Sequence, residues 1–351
     1  MHMKPWKTPW PCDELESVSS CPVCTSEERG ILYSNLVDNV FFVAPGKWTM
    51  WQCKKCKSAY LDPRPNQASI GQAYKNYYTH NKEIRREEPG QLGRFRLFRR
   101  MLANGYLNDR YGTKYQPASR LGGMFAALFP AQREALDIQF RWLPKPNTGQ
   151  RLLDFGCGNG GFLRNAREAG WHVVGVDIDS DAVGNAQKLG IEVYQGTTEI
   201  FDTEVESFDA ITINHVLEHV PEPSELLSMA RRLLKPGGVL YIDTPNIQSP
   251  GARIFGPNWR GLETPRHLVL LSRTGLKQLL AKHNFTDFQI KNRKKPRKDM
   301  FLQSHRMTFG LPPNSQSPKS LPLGLALRAK IPFITHNHFE FITLLARKRR
   351  S

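Results

Sequence analysis

Three glycines at alternate positions, Gly156, Gly158 and Gly160, follow a short apolar run that ends at Asp154. Apolar residues then recur at helical spacing up to Gly170. This pattern predicts a strand, a tight turn and a helix. Glycine at such a turn permits positive φ angles and lets a ligand lie against the backbone, and the first N–H groups of the helix point at that ligand. We therefore expect a small molecule to bind at this turn.

A second carboxylate narrows the choice of ligand. Asp177 ends the next apolar stretch, a predicted buried parallel strand, and an acid at the tip of that strand can accept hydrogen bonds from a ribose diol. The spacing of Gly156, Gly158 and Gly161 also fits the dinucleotide pattern G-x-G-x-x-G, so NAD is an alternative. Asp154 argues against NAD, because an acid beside the turn repels a pyrophosphate but suits the ammonium and sulfonium groups of S-adenosylmethionine.

Two later stretches favour S-adenosylmethionine. Residues 207–223 and 233–242 resemble the fourth and fifth strand regions of class I S-adenosylmethionine-dependent methyltransferases, and the resemblance covers residues 146–290. It implies an α/β fold with a Rossmann-like sheet of seven strands, in which residues 285–290 and 339–346 form the closing antiparallel pair.

The resemblance also implies which residues hold the cofactor. Many relatives carry an acid for the adenine amine after the glycine that corresponds to Gly196. This chain departs from that pattern with Thr197 and Thr198, and Glu199 is the alternative partner. The end of the fourth strand, at Asn214, meets the methionine part of the cofactor. The predicted cofactor-binding residues are Asp154, Gly156, Gly158, Gly160, Asp177, Ile178, Thr198 and Asn214.

Four of the six cysteines form two C-x-x-C pairs, Cys21 with Cys24 and Cys53 with Cys56. Each pair can bind one face of a tetrahedral zinc ion, and the residues between the pairs contain two stretches that predict the arms of a β-hairpin. We therefore predict a zinc ribbon with a structural ion over residues 1–65. Two disulfides or a redox C-x-x-C are less consistent with a cytoplasmic chain that has no thioredoxin-like unit.

The chain divides into three predicted parts. The ribbon is followed by a helical, basic linker at residues 66–145 and by the methyltransferase domain at residues 146–351. In the resembled enzymes a segment like this linker covers the cofactor as a lid, which would bring Tyr77, Tyr78 and His80 over the methionine moiety. An aromatic helix face packed on the core is the alternative.

Charge and targeting signals indicate which kind of partner the protein binds and in which cellular compartment it is expected. The net charge is +17, which favours anionic partners; a well-solvated basic surface is the alternative. The N-terminus has no apolar segment of a signal peptide, so we expect a cytoplasmic protein. Residues 297–336 are an insert between the last two predicted strands, and residues 291–298 carry six basic side chains. This basic run and the apolar stretch after it suit a peripheral anchor on the acidic inner membrane surface; a loop packed on the domain is the alternative.

Two histidines lie where the fold places its active-site mouth. His219 follows the fourth predicted strand and His267 follows the fifth, and a histidine can accept the proton of a hydroxyl acceptor during methyl transfer. For His219 the alternative is a structural histidine at the start of a helix, bonded to backbone. Residues 259–267 resemble the acceptor-pocket motif of bacterial methyltransferases that act on glycans and metabolites. Glu218 and His215 could assist or bind a metal.

The leading hypothesis is methyl transfer to a hydroxyl of a small-molecule or glycan-type acceptor. An RNA methyltransferase with a zinc ribbon is the alternative that the basic charge supports. The stretch after Asn214 lacks the Asn-Pro-Pro-Tyr type of motif that holds a planar base nitrogen, so RNA is the less favoured acceptor. A scaffold that binds the cofactor without catalysis is a third reading. The oligomeric state is left open.

Overall fold

The structure is a computed structural model that describes residues 5–75, 93–293, 296–330 and 339–350. Tyr77, Tyr78 and His80, the residues predicted to form a lid, lie outside the described residues, so the lid stays a prediction. The described strands are β1 Leu15–Glu16, β2 Arg29–Leu36, β3 Trp48–Cys53, β4 Ala59–Leu61, β5 Arg64–Pro65, β6 Arg151–Phe155, β7 His172–Asp177, β8 Glu192–Gln195, β9 Phe208–Asn214, β10 Leu234–Pro245, β11 Val269–Leu270, β12 Phe285–Lys291 and β13 Phe341–Lys348.

Helices connect most of these strands and cover the larger sheet. They are α1 Arg94–Tyr111, α2 Gly122–Leu128, α3 Pro130–Gln139, α4 Gly161–Glu168, α5 Ser180–Lys188, α6 Pro223–Leu233, α7 Pro250–Phe255, α8 Arg273–Lys282, α9 Pro296–Thr308 and α10 Leu323–Lys330. A short 3-10 helix, Ile70–Tyr74, precedes them. Within the described parts of the chain, every helix is too short or too polar to cross a bilayer.

The larger sheet has seven strands in the order β12-β13-β10-β9-β6-β7-β8. The strands from β10 to β8 in this order are parallel, and β13 runs antiparallel to both β10 and β12. This arrangement confirms the predicted seven-stranded α/β sheet with its closing antiparallel pair. Leu152, Leu153, Ile211 and Ile213 on the two central strands are fully buried, as expected for parallel strands covered on both faces.

The smaller sheet joins the N-terminal module to the rest of the chain. Its order is β11-β4-β3-β2, and β2 and β3 are the predicted hairpin. Strand β11 comes from the part of the chain after residue 146 and pairs with β4, and the Leu61 N–H donates to the Leu268 carbonyl oxygen at 3.0 Å. The Ser272 N–H donates to Ser58 Oγ at 3.0 Å. The two modules are therefore one packed unit at this sheet.

The predicted basic linker is helical over its described part. Helices α1 and α2 pack closely because two glycines meet there: a Cβ at Gly105 would lie 1.8 Å from the Ser119 carbonyl oxygen, and one at Gly122 would lie 2.2 Å from the Tyr106 nitrogen. The Tyr106 and Tyr111 hydroxyls both donate to Asp137 Oδ1, at 2.7 and 2.6 Å. These contacts attach α1 to α3, which leads into the central strand β6.

The sequence predicts Ser180 as the N-cap of a helix that begins at Asp181, and the structure corrects this start of α5. Asp179, and not Ser180, is the N-cap, because its side chain accepts hydrogen bonds from the N–H groups of Asp181 and Ala182. Ser180 is the first residue of the helix. Both residue types cap helices well, so composition did not separate them.

Candidate active site

The glycine turn has the conformation that its sequence predicts. Gly156, Gly158 and Gly160 have φ angles of +68°, +54° and +75°. A Cβ at Gly156 would come 2.4 Å from Val216 Cγ2 and one at Gly160 would come 3.0 Å from Ala186 Cβ, whereas one at Gly158 would meet nothing within 4 Å. The outer two glycines are therefore needed for packing, and Gly158 faces open space that a ligand can occupy.

Asp177 and Ile178 lie beside this open space. Asp177 ends β7, and its Oδ2 accepts the Gly158 N–H at 2.8 Å while its Oδ1 accepts the Asp179 N–H at 3.0 Å. These two bonds hold the carboxylate at the carboxyl edge of the sheet. The next side chain, Ile178, is 66% exposed, which is unusual for an isoleucine at the end of a buried strand. A carboxylate next to an exposed apolar side chain suits a ribose and an adenine face.

Asp154 is fully buried at the end of β6 and is already partly paired. The Arg141 guanidinium and the Thr212 hydroxyl both donate to its Oδ1, the latter at 2.7 Å. Its Oδ2 is buried and has no hydrogen-bond partner among the described residues. Burial raises the pKa of this carboxyl group, while Arg141 opposes that shift. The direct contact with the cofactor ammonium that the sequence suggested would therefore have to be made through Oδ2.

A cavity of about 390 Å³ adjoins the glycine turn. It extends from Gly161, at the start of α4, to Asn214 and His215 at the end of β9. Its remaining lining residues are Ile138, Gln139, Arg141, Phe162, Asn165, Tyr241, Asp243 and Arg293. The volume lies within the range of small-molecule sites, about 300–1,000 Å³. The cavity thus connects the predicted residue Asn214 with Gly161, the residue that follows the turn.

Thr198 is the last of the predicted cofactor-binding residues to be located in the fold. It begins a short 3-10 helix, Thr198–Phe201, after strand β8. This position is at the same carboxyl edge of the sheet as Asp177, since β7 and β8 are parallel neighbours. Contacts of its side chain with the cofactor stay a prediction.

His215 lines the cavity and contacts two acids. Its Nδ1 lies 3.0 Å from Glu218 Oε1 and its Nε2 lies 3.5 Å from Asp243 Oδ2. Burial alone would lower the pKa of His215, but the hydrogen bond to Glu218 and the charges of both acids raise it above its ordinary value. Burial would raise the pKa of Glu218, but its bond with His215 and the neighbouring histidines lower that pKa to about 2. A histidine held between two carboxylates has the chemistry of a general base.

The two histidines singled out from the sequence form a pair of their own. The rings of His219 and His267 are T-shaped with centroids 4.7 Å apart. The His267 Nδ1 lies 2.8 Å from the Gly261 carbonyl oxygen, which can only accept, so Nδ1 carries the proton and Nε2 has the lone pair. Burial is the main cause that lowers the pKa of His267 to about 4. Neither ring is among the residues that line the described cavity.

His219 contacts the start of the linker and the backbone next to His267. Its Nδ1 lies 2.9 Å from the Tyr74 hydroxyl and 3.1 Å from the Arg266 carbonyl oxygen. It is in a turn between β9 and α6, and it does not begin a helix. Ligand atoms of Glu218, His219 and His267 lie within 4.8 Å of one another, close enough for one metal ion. The oxygens of Glu218 already accept from His215 and from the Thr244 hydroxyl, at 3.0 and 2.9 Å, so a hydrogen-bond network accounts for the cluster.

A fully buried ion pair lies next to the hydrogen-bond network of Glu218 and the histidines. The Arg266 side chain and Asp38 are both 0% exposed, and the arginine also donates to the Ala73 carbonyl oxygen at 2.7 Å. Asp38 accepts from four backbone N–H groups of the N-terminal module, those of Val40, Phe41, Val43 and Ala44. No pattern in the sequence indicated this pair, because its members are far apart along the chain.

The four predicted zinc ligands converge. The sulfurs of Cys21 and Cys56 are 3.6 Å apart and those of Cys24 and Cys53 are 3.5 Å apart, and all four lie within 4.8 Å of one another. A disulfide needs an S–S distance of about 2.05 Å, so none of these pairs is bonded. With Zn–S bonds of about 2.3 Å, ligands of a tetrahedral zinc ion are slightly less than 4 Å apart, and the observed distances fit that arrangement.

Comparison with known proteins agrees with this geometry. Residues 130–290 match the family model described as a methyltransferase domain. The ubiquinone biosynthesis O-methyltransferase of Hahella chejuensis is 37% identical over 114 residues, which are 30% of this chain and 48% of that protein. The protein of the same name from Paraburkholderia phymatum is 32% identical over 131 residues, 34% of this chain and 56% of that protein. The chain spans about half the length of these curated relatives.

Similar solved structures include a methyltransferase from Archaeoglobus fulgidus, with 23% identity and a TM-score of 0.44 over 64% of this chain and 98% of that one. Another is phosphoethanolamine N-methyltransferase 2 of Haemonchus contortus, with 21% identity and a TM-score of 0.45 over 63% of this chain and 53% of that one. Scores this low add no argument, and the assignment rests on the family match. The family match and the seven-stranded sheet with its glycine turn agree on a methyltransferase domain over residues 130–290.

Proposed function

We propose that this protein transfers a methyl group from S-adenosylmethionine to a hydroxyl group of a small-molecule or glycan-type acceptor. The observation that carries the proposal is the site around Gly158, where a Cβ would meet nothing within 4 Å and where Asp177 and the exposed Ile178 lie alongside. The adjoining cavity reaches His215, so a proton acceptor is near the methionine side of the cofactor. The curated relatives are named O-methyltransferases, which agrees with a hydroxyl acceptor.

The residues of the chain have three tasks in this reaction. Asp177 would accept the ribose hydroxyls, and the backbone at Gly158 would lie against the cofactor. When bound, S-adenosylmethionine supplies a methyl group on a positively charged sulfur. A histidine would take the proton of the acceptor hydroxyl as the new carbon–oxygen bond forms. His219 and His267 are the candidates from the sequence, and His215 is added because it lines the cavity.

Zinc on Cys21, Cys24, Cys53 and Cys56 is the structural part of the proposal. The ion would hold the N-terminal module in shape, because this module has few residues with which to form a core of its own. The sulfur cluster lies next to β4, and the Cys56 carbonyl oxygen accepts from the Ser272 hydroxyl. Metal binding would therefore also stabilise the contact with the methyltransferase domain.

Transfer of a labelled methyl group tests the acceptor class. The purified protein is incubated with methyl-labelled S-adenosylmethionine and one of three cell fractions: water-soluble small molecules, an organic-solvent extract, or total RNA. We expect label in the small-molecule fraction or, for a lipid-linked glycan, in the organic extract. A Gly158→Leu variant is the control for enzyme-dependent label. Label confined to RNA would contradict the proposal and favour the RNA alternative.

A further inference from the structure

Helices α1 and α2 expose an unusual number of large apolar side chains. Phe95 and Phe98 are spaced three residues apart on α1, and Leu121, Met124 and Leu128 recur at helical spacing at and along α2. Such spacing puts each row on one side of its helix. The exposed fractions are 73% for Phe95, 53% for Phe98, 53% for Leu121, 56% for Met124, 68% for Leu128 and 46% for Phe129. We call these six residues the hairpin face.

The helical hairpin formed by α1 and α2 is also strongly basic. Residues 93–130 contain seven arginine or lysine side chains and one acid, Asp109, a net charge of +6. Arg94, Arg96 and Arg99 are exposed in the first turns of α1, among the exposed phenylalanines. The Arg99 guanidinium lies 5.9 Å from the centre of the Phe95 ring. Apolar and cationic groups are therefore mixed on one surface.

A groove between the three linker helices opens next to this surface. Its volume is about 650 Å³, and its walls include Arg96, Arg99 and Arg100 from α1. Phe125 and Leu136 supply apolar parts of the walls from α2 and α3. A groove with guanidinium groups and apolar walls suits the phosphate and the first carbons of an anionic amphiphile.

We propose that the hairpin face docks on the surface of a bilayer that contains anionic phospholipid. Exposed aromatic and aliphatic side chains enter the boundary between headgroups and acyl chains, and arginines beside them bind lipid phosphates. This is the arrangement by which a helical surface lies on a membrane without spanning it. It places membrane contact on the linker, and it is independent of which acceptor the methyltransferase domain uses.

Two other occupants fit the surface less well. A second copy of the chain would bring two faces of charge +6 together, which opposes association. RNA would neutralise the arginines but would leave Phe95, Leu128 and the other apolar side chains of the face without a partner. An acidic lipid surface accommodates both kinds of group.

The described part of the insert over residues 297–336, the anchor candidate from the sequence, exposes fewer large apolar side chains than the hairpin face. Within its basic run, Arg297 is buried and Arg293 pairs with the buried Asp243. Helix α10 exposes two large apolar side chains, Leu323 and Leu327, at 77% and 52%. This segment therefore serves as the competing site in the experiment.

Vesicle flotation of the full-length protein tests the proposal. Vesicles of phosphatidylcholine alone are compared with vesicles in which roughly a third of the lipid is phosphatidylglycerol. Three double variants are measured beside the unaltered protein: Phe98→Ser with Leu128→Ser, Arg96→Gln with Arg99→Gln, and Leu323→Ser with Leu327→Ser on α10. Ile31→Ser with Val205→Ser is the matched control, because these side chains are 61% and 62% exposed elsewhere in the chain. Circular dichroism and cofactor titration verify that each variant is folded.

We expect the unaltered protein to float with the acidic vesicles and to stay behind with the neutral ones. Each basic side chain near an acidic surface changes the partition coefficient about fivefold, so the arginine variant should bind about 25-fold more weakly. The Phe98/Leu128 variant should lose at least tenfold, while the α10 and matched-control variants should bind as before.

Three results would overturn the proposal. The first is equal binding to both kinds of vesicle, or to neither. The second is loss of binding in the α10 variant with retention in the Phe98/Leu128 variant. In the third, the protein is a dimer in solution and the Phe98/Leu128 variant is a monomer, which would assign the hairpin face to a second copy of the chain.

Discussion

The three glycines of the turn have different roles: two are needed for packing, and one faces the proposed ligand site. Gly156 and Gly160 have neighbours that a Cβ would strike, so they are required for folding whatever the turn binds. Gly158 has none, and the Asp177 carboxylate is bonded to its N–H at 2.8 Å. A substitution at Gly158 therefore reports on the ligand more directly than one at either neighbouring glycine.

The pH dependence of turnover should identify the histidine that accepts the proton. A base acts in its unprotonated form, so activity rises as the pH increases through the pKa of the base. If His215 is the base, the inflection should lie above its ordinary value of 6.5, because Glu218 and Asp243 raise its pKa. If His267 is the base, the profile should be flat between pH 5 and 8, because its pKa is lowered to about 4.

Substitutions complete this test. Replacing the base by alanine should reduce kcat by roughly 10²–10⁴-fold while leaving cofactor affinity nearly unchanged. We would measure His215→Ala, His219→Ala and His267→Ala, with the exposed His172→Ala as the control. If all three retained near-normal kcat, proton abstraction by these histidines would be wrong, and alignment of the reactants would have to carry the reaction.

At the scale of elements, the N-terminal module and the start of the linker pack against the histidine pair His219 and His267. Strand β11 completes its sheet, the Arg266 side chain reaches Asp38, and Tyr74 contacts His219. Arg266 and His267 are adjacent, so any shift of the buried ion pair would move the histidine pair. The packing of these segments thus holds the histidine pair in position.

Removal of Arg266 should destabilise the protein strongly. Arg266→Leu leaves the Asp38 carboxylate buried without its cation, and an uncompensated buried charge costs about 3–5 kcal/mol of unfolding free energy. Denaturant unfolding measures this loss. Arg349→Leu, at an exposed site near the C-terminus, should change stability by less than about 0.5 kcal/mol. A loss at position 266 no larger than that of the control would contradict the role given to the ion pair.

Metal content tests the ribbon. Elemental analysis of freshly purified protein should find close to one zinc per chain, and a Cys21→Ser/Cys24→Ser variant should have lost it. The melting temperature should fall with the metal, because metal binding contributes to folding. Cys12→Ser is the matched control, since this cysteine is exposed and outside the cluster. Metal-free protein with four reactive thiols and an unchanged melting temperature would exclude the zinc site.

For the whole molecule, the net charge of +17 raises the question of whether the protein binds nucleic acid. A nucleic-acid enzyme that contacts many phosphates loses affinity steeply as salt increases. We expect RNA binding to be weak and independent of sequence, and turnover on the true acceptor to change little with salt. Filter binding with several RNA sequences across a salt series measures this. Sequence-selective binding that survives about 0.2 M salt would favour an RNA substrate.

The sequence predicted those parts of the protein that depend on local patterns. The glycine turn, strand β9 at residues 208–214 and the two cysteine pairs each carry their signal within a few residues, and the structure places them as expected. The closing pair β12 and β13 was predicted from the family resemblance. The catalytic roles of His219 and His267 stay predictions.

Contacts between residues that are far apart in the chain could not be predicted from the sequence. Strand β11 has two residues, too few for a pattern, and exists because β4 offers an edge to Val269 and Leu270. The Arg141 side chain pairs with Asp154 on strand β6. One carboxylate oxygen of Asp154, a residue that the sequence assigned to the cofactor, therefore already has a partner. Such pairings depend on the folded arrangement, because nothing near either residue in the chain specifies the other.

Calorimetric titration of the unaltered protein with S-adenosylmethionine and, separately, with NAD tests the central claim most directly. We predict one S-adenosylmethionine site per chain and no NAD binding. Gly158→Leu should abolish binding, Asp177→Ala should weaken it by removing ribose hydrogen bonds of about 1–3 kcal/mol, and Glu192→Gln on the neighbouring strand should have no effect. Tight binding of NAD, or unchanged S-adenosylmethionine affinity in both the Gly158 and Asp177 variants, would contradict the account.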